Sequence, residues 1–168
     1  TLDSAHPDIA QSLNNLALLY SDQDQYDRAE PLYKRALTIR EKVLGPEHYR
    51  VALILNNLAS LYLAQGIFSE AELFYQRSLA IREKNLGPQH PAIAINLNNL
   101  AVLYRTKGQY EKAEPFYQRV VTIGEKALGP EHPRQAVSLQ NYALNLWAKD
   151  GTNFVDHALD LFVRSNSI

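Results

Sequence analysis

The sequence has no cysteine, no methionine and a single tryptophan. The missing cysteine excludes a disulfide scaffold, a thiolate zinc site and a cysteine nucleophile. An excess of one charge is lacking too: 17 Lys and Arg stand against 18 Asp and Glu. A balance so even, with a pI of about 6.5, leaves no electrostatic footprint for nucleic acid or anionic lipid. Long apolar runs are absent. Asn, Gln or Ser breaks every uncharged stretch, so no segment is expected to span a bilayer. No charged-then-apolar leader opens the chain, because Thr1 falls inside a pattern. That pattern and the missing initiator methionine read as a fragment of a longer protein. What is present suits a folded chain: 168 residues, 46 % hydrophobic and 21 % charged, enough for one domain or a short repeat array.

Repetition dominates the rest. Leu44-Gly45-Pro46, Leu86-Gly87-Pro88 and Leu128-Gly129-Pro130 recur at a step of 42 residues. His6, His48, His90 and His132 keep that step, as do Asn15, Asn57, Asn99 and Asn141, and Ala17, Ala59, Ala101 and Ala143. Such a period belongs to solenoid arrays, in which each unit buries its apolar face on its neighbour. The chain therefore reads as a single array over 1–168, with repeats at about 7–48, 49–90, 91–132 and 133–168. About three residues are inserted around Asp150-Gly151-Thr152. At the other end Leu2 to Pro7 matches Leu44 to Tyr49, as the tail of an earlier repeat would.

Within a repeat the pattern predicts two helices. Leu55, Leu58, Ala59 and Tyr62 are spaced by three and four, one helical face. Gly66 interrupts it. Ala71, Phe74, Tyr75, Ser78, Leu79 and Ile81 make a second such face, and Gly87-Pro88 ends it, with glycine expected as a left-handed cap. Pro7, Pro91 and Pro133 stand where first helices begin, a position that tolerates the missing N–H. The expected helices are 7–23, 26–43, 49–65, 68–85, 91–107, 110–127, 133–149 and 154–165, with no strand. Small Ala17, Ala29, Ala59, Ala71, Ala101 and Ala113 allow close helix approach. Tyr20, Tyr62 and Tyr104 with Tyr33, Tyr75 and Tyr117 read as core.

The order Leu16, Ala17, Tyr20, Asp24, Tyr26, Ala29, Tyr33, Ala36 resembles the tetratricopeptide repeat (TPR), a helix-turn-helix unit of about 34 residues. The longer step, the Leu-Asn-Asn-Leu-Ala run, Ala-Glu-Pro-Leu-Tyr, Ile-Arg-Glu-Lys and Leu-Gly-Pro-Glu-His resemble the kinesin-light-chain-like subclass. The resemblance implies an all-α solenoid, a right-handed superhelix whose first helices line a concave groove. It also implies a cytoplasmic, non-enzymatic protein-binding scaffold with no cofactor.

Candidate chemistry fits that implication. Equivalent histidines lie one repeat apart, some 15–20 Å if each helix occupies 8–10 Å, too far to share zinc at about 2.1 Å. Capping or loop packing is expected for them; His157 stands outside the register. There is no phosphate-cradling glycine run, nucleophile elbow or metalloprotease motif. Glu30, Glu72 and Glu114, and Glu41, Glu83 and Glu125, recur with the repeat, which makes them architectural. Glu30 and Lys34 are expected to form a solvated helix pair worth about 0.2–0.5 kcal/mol.

Asparagine is the informative anomaly. Asn14-Asn15, Asn56-Asn57 and Asn98-Asn99 sit in mid-helix, and Gln140-Asn141 continues the row. Each costs roughly 0.6 kcal/mol relative to Ala. The amides either bond between neighbouring first helices or grip the backbone of a bound peptide, having two donors and an acceptor each. Adjacent members point about 100° apart, so each pair can divide the two roles. By family register the groove also holds Leu53, Ile95, Val102, Arg105 and Trp147; Trp147 is either an anchor there or a cap on the terminal core. Terminal-carboxylate clamps in this fold need Lys and Arg at such groove sites; Asn14, Asn56 and Leu53 occupy comparable sites here, so no such clamp is expected. The expected partner is an extended protein segment of on the order of 8–15 residues at about 3.3 Å per residue, with neither nucleic acid nor membrane. The alternative is a spacer or self-assembling array whose open ends stack into homo-oligomers.

Overall fold

The structure is a computed structural model that describes residues 7–130, 132–150, 160, 161, 163 and 164. Thr1, Leu2, His6, the insertion at Gly151-Thr152, His157 and most of the expected 154–165 helix lie outside the described residues. The chain divides into two compact units, Thr1–Gly87 and Pro88–Ile168.

The first unit contains α1 (Pro7–Ser21), α2 (Tyr26–Leu44), α3 (Tyr49–Ala64) and α4 (Phe68–Leu86). α1 pairs with α2, α3 with α4, and α2 packs on α3 to join the two hairpins. The second contains α5 (Ala94–Thr106), α6 (Tyr110–Leu128) and α7 (Arg134–Asp150), paired in sequence. Residues 160, 161, 163 and 164 are helical as well. There is no strand among the described residues, and the fold is the expected all-α stack of helix-turn-helix repeats.

Two local differences have physical reasons. Pro91–Ile93 form a 3-10 turn ahead of α5, a tightening common at helix N-termini. Gly45, Gly87 and Gly129 do take positive φ, but their ψ values of 154°, 154° and 156° are extended. That region admits glycine almost alone, so these positions are more restrictive than the left-handed cap expected. The hairpin turns also need positive φ. Gly66 and Gly108 supply it at 75° and 70°, and Asp24 takes the same position in the first repeat at 57°. A short polar side chain tolerates that conformation, and its carboxylate accepts a 2.6 Å bond from the Tyr26 hydroxyl.

The core follows the repeat. Ala17, Ala29, Ala59, Ala71, Ala101 and Ala113 are fully buried, and so are Tyr33, Tyr75 and Tyr117. Tyr62 stacks on Phe74 and Tyr104 on Phe116, at 5.7 and 5.6 Å. The first repeat has Leu32 in place of those phenylalanines; its Tyr20 is half-buried and lies under Arg28 instead, 4.1 Å from the guanidinium carbon.

One departure from register leaves a defect. The Tyr75 hydroxyl shares a 2.8 Å hydrogen bond with Ser60. In the next repeat Val102 replaces that serine, and the buried Tyr117 hydroxyl has no hydrogen-bond partner. Burial pushes the Tyr117 phenol up, with Arg105 opposing. Val102→Thr keeps the branched shape and restores a hydroxyl. It is expected to raise unfolding stability by about 1 kcal/mol, the net worth of a hydrogen bond, measured by urea denaturation.

Candidate functional site

The first-helix faces carry the residues singled out by sequence. In the first compact unit Asn14 and Asn56 are buried, at 4 % and 8 % exposure. Asn15 is exposed and accepts a bond from Gln11 at 2.9 Å, and Asn57 is half-buried. The Asn57 amide donates to the Asn14 carbonyl oxygen at 3.1 Å, across neighbouring repeats. In the second unit Asn98, Asn99 and Asn141 are half-buried, and Asn141 donates to Asn98 at 3.3 Å. Each of these bonds takes one donor hydrogen and one acceptor site; Asn57 and Asn141 keep a carbonyl oxygen and a second N–H.

Apolar side chains flank the amides. Leu53 is exposed on α3; Ile95 and Val137 are exposed at the same repeat position on α5 and α7. Val102 and Arg105 are half-buried. Trp147, at 59 % exposure, stands out from α7.

The recurring carboxylates join repeats. Glu30 pairs with Lys34 at 2.6 Å and also accepts from the Tyr62 hydroxyl of the next repeat at 2.8 Å. Glu41 pairs with Arg77 at 2.6 Å, 36 residues later. Glu125 pairs with Arg164 at 2.5 Å, 39 residues later. The difference of three is the insertion read from the sequence. Arg77 and Arg119 reach the carbonyls of Pro46 and Pro88, so the Leu-Gly-Pro loops are held by the following repeat. His48 and His90 cap helices, each ring Nδ1 accepting from a backbone N–H at 3.1 Å.

Lys34 first, then the Tyr62 hydroxyl, holds the Glu30 carboxyl below its usual range against a smaller effect of burial. A lowered folded-state value makes the contribution full above the unfolded value of about 4.3. It is lost as pH falls through the folded one. Acid unfolding curves of Glu30→Gln should therefore be flatter below about pH 4 than those of the unaltered chain.

Sequence reading missed Arg40. It follows Ala29, Tyr33 and Ala36 on the buried stripe of α2 and is itself buried, at 4 % exposure. The four-three-four spacing was the available signal; the charge obscured it.

Paired helices on a 42-residue step, locked by amide and carboxylate bonds between neighbours, define a helical-hairpin repeat protein. The chain belongs to the tetratricopeptide repeat family, whose signature matches residues 8–84, 74–126 and 92–152. No curated protein matches the sequence. Among solved structures it is similar to BtubC (BKLC) from P. vanneervenii, at 25 % identity and a TM-score of 0.85 over 96 % of this chain and 65 % of that one. The chain thus spans just under two thirds of that protein. Nearly identical TPR-like repeats of a kinesin light chain-like protein from Podosopora anserina match at 29 % identity. One of the two structures gives a TM-score of 0.84 over 99 % of this chain and 77 % of that one. The other gives 0.82, with 99 % and 78 %. The relatives are kinesin-light-chain-like repeat proteins, and tetratricopeptide repeats are generally protein–protein interaction scaffolds, typically without enzymatic activity. No helix among the described residues is long and apolar enough to cross a membrane.

Proposed function

We propose that the chain is a non-enzymatic scaffold that binds an extended segment of a partner protein along its first-helix faces. The observation that carries this reading is the half-buried amides beside exposed Leu53, Ile95 and Val137. Amides recognise a peptide backbone whatever its side chains, and the apolar residues offer shallow contacts for alternate side chains. Exposed Trp147 has the character of an interface anchor. The test uses this sole tryptophan as reporter. Titration with an unstructured peptide library should give saturable fluorescence changes, and Asn99→Ala should weaken them. No saturable binding by any peptide overturns the reading.

The alternative, end-to-end self-association, is separated from this reading by sedimentation: concentration-dependent oligomers in a chain that binds no peptide decide for it.

A further inference from the structure

Gly124 of α6 stands where α2 carries Arg40 and α4 carries Arg82. A cavity of about 330 Å³ adjoins it in the second compact unit, among the start of α5, the end of α6 and the start of α7. Gln135, in place of Val51 and Ile93, returns part of the lost volume, since a Cβ on Gly124 would meet its amide. Exchanging arginine for glycine removes more atoms than exchanging valine for glutamine adds, so a hollow remains. Ala94, Val120, Ile123 and Leu128 give it apolar walls, and no ionisable side chain lines it. It reaches the surface at Ala127 and Leu128, both exposed.

The polar groups of this space differ between the two units. In the first, Asp8, Arg40 and Ile54 line the corresponding pocket. In the second, Ala92, Gly124 and Ser138 hold those repeat positions. The cation and its counter-charge are gone, and a hydroxyl has entered the lining. Gln135 is 2 % exposed. Its Nε2 donates once, to the Val121 carbonyl at 3.2 Å, and its Oε1 accepts no hydrogen bond among the described residues. The amide therefore keeps an acceptor and a second N–H at a buried place where leaving them unused is costly.

We infer that the Gly124 cavity binds a small neutral ligand whose amide edge, an N–H beside a C=O, pairs with Gln135. Such an edge donates to Oε1 and accepts from the remaining Nε2–H or from the Ser138 hydroxyl. The lining selects a neutral guest. A buried cation would find no carboxylate there, and an anion no cation, so either would lose its hydration uncompensated. The size selects a compact one. A cavity of about 150 Å³ takes up benzene, so one of about 330 Å³ has room for a ring together with its amide. The guest brings what Arg40 brings two repeats earlier, an apolar body with a planar N–H donor, without the charge. Asn98, Asn99 and Asn141 do not line the cavity, so the site does not depend on the peptide-binding reading.

Benzamide, acetophenone, benzamidinium and benzoate, four probes of nearly one shape, are titrated into the full chain at constant ionic strength. The readout is NMR of the Gln135 side-chain amide and the Val120 and Ile123 methyls. Benzamide should shift all three saturably. Acetophenone, which keeps the carbonyl but has no N–H, should bind about tenfold less tightly, because it leaves Oε1 without a donor. Both charged probes should bind more weakly than benzamide. Gly124→Arg with Gln135→Val rebuilds the pair found in the first repeats and fills the hollow, so the benzamide shifts should vanish while the chain still unfolds cooperatively in urea. Should that variant fail to fold, Gln135→Val alone keeps the hollow without the amide, and benzamide and acetophenone should then bind equally. No saturable benzamide shift in the unaltered chain overturns the inference, as does undiminished binding in the filled variant. Acetophenone binding as tightly as benzamide overturns the amide assignment, and tighter binding of benzamidinium or benzoate overturns the neutral one.

Discussion

Replacing Gly124 by alanine should lower stability by about 2 kcal/mol, although alanine in a helix interior ordinarily adds about 1. A Cβ at Gly124 would lie 2.3 Å from the Gln135 Oε1, 2.8 Å from its Cδ and 2.9 Å from its Nε2. Those atoms end a flexible side chain, and a cavity of about 330 Å³ adjoins both residues, but Gln135 is held where it stands. It is 2 % exposed, and its amide donates to the Val121 carbonyl at 3.2 Å. Moving it breaks that bond and leaves a buried amide unsatisfied, a cost of about 1–3 kcal/mol. The remedy is already written in the other repeats. Where the second helix carries Arg40 or Arg82, the residue 11 positions on is Val51 or Ile93, fully buried and apolar. Gly124 and Gln135 are thus one exchanged pair. Gly124→Ala combined with Gln135→Val should recover most of the loss, with a coupling energy above about 1 kcal/mol in a double-mutant cycle. A stability gain from Gly124→Ala alone would refute the pairing.

That exchange shows where the sequence is legible and where it is not. Helices, turns and register follow from apolar spacing and punctuation, because each is set by residues close in the chain. Even the insertion near Asp150 was countable, and the Arg164–Glu125 pair meets that count. In the sequence Gly124 stands out only as a glycine inside a helix, where the other repeats carry Arg40 and Arg82. Its partner lies in the next repeat's first helix, and nothing local announces that two positions share one volume. The carboxylates were readable as architectural from their recurrence alone, yet their mates were not. Glu30 was paired in advance with Lys34 on its own helix, whereas its Tyr62 contact crosses to the next repeat. The buried position of Arg40 was implied by spacing, but an unsatisfied nitrogen is a property of three-dimensional packing only. For the asparagines, residue type gave chemistry and mid-helix placement gave cost. Which member of each pair faces its neighbour required coordinates.

The asparagine pair also gives the test with the other large expected effect. Asn57→Leu should destabilise the chain by about 2 kcal/mol, because it leaves the Asn14 carbonyl oxygen unpaired at a site 4 % exposed and a buried acceptor without a donor costs about 1–3 kcal/mol. Asn14→Leu with Asn57→Leu removes both polar groups together. Leucine is a better helix former than asparagine by a few tenths of a kcal/mol at each position. The double variant should therefore return close to the stability of the unaltered chain. Equilibrium denaturation of the four members of the cycle checks this; equal losses that simply add would show that the bond is not a coupled unit. Peptide titration of the refolded double variant then separates the two roles an amide can have. If Asn57 only ties α3 to α1, peptide affinity survives the exchange. If its remaining carbonyl and N–H also hold a bound backbone, affinity falls by about tenfold even though the fold is intact, the effect of about 1.4 kcal/mol of lost hydrogen bonding. The proposed scaffold function requires the second result at one or more of Asn57, Asn99 and Asn141, since exposed Leu53, Ile95 and Val137 alone provide contact area without backbone recognition.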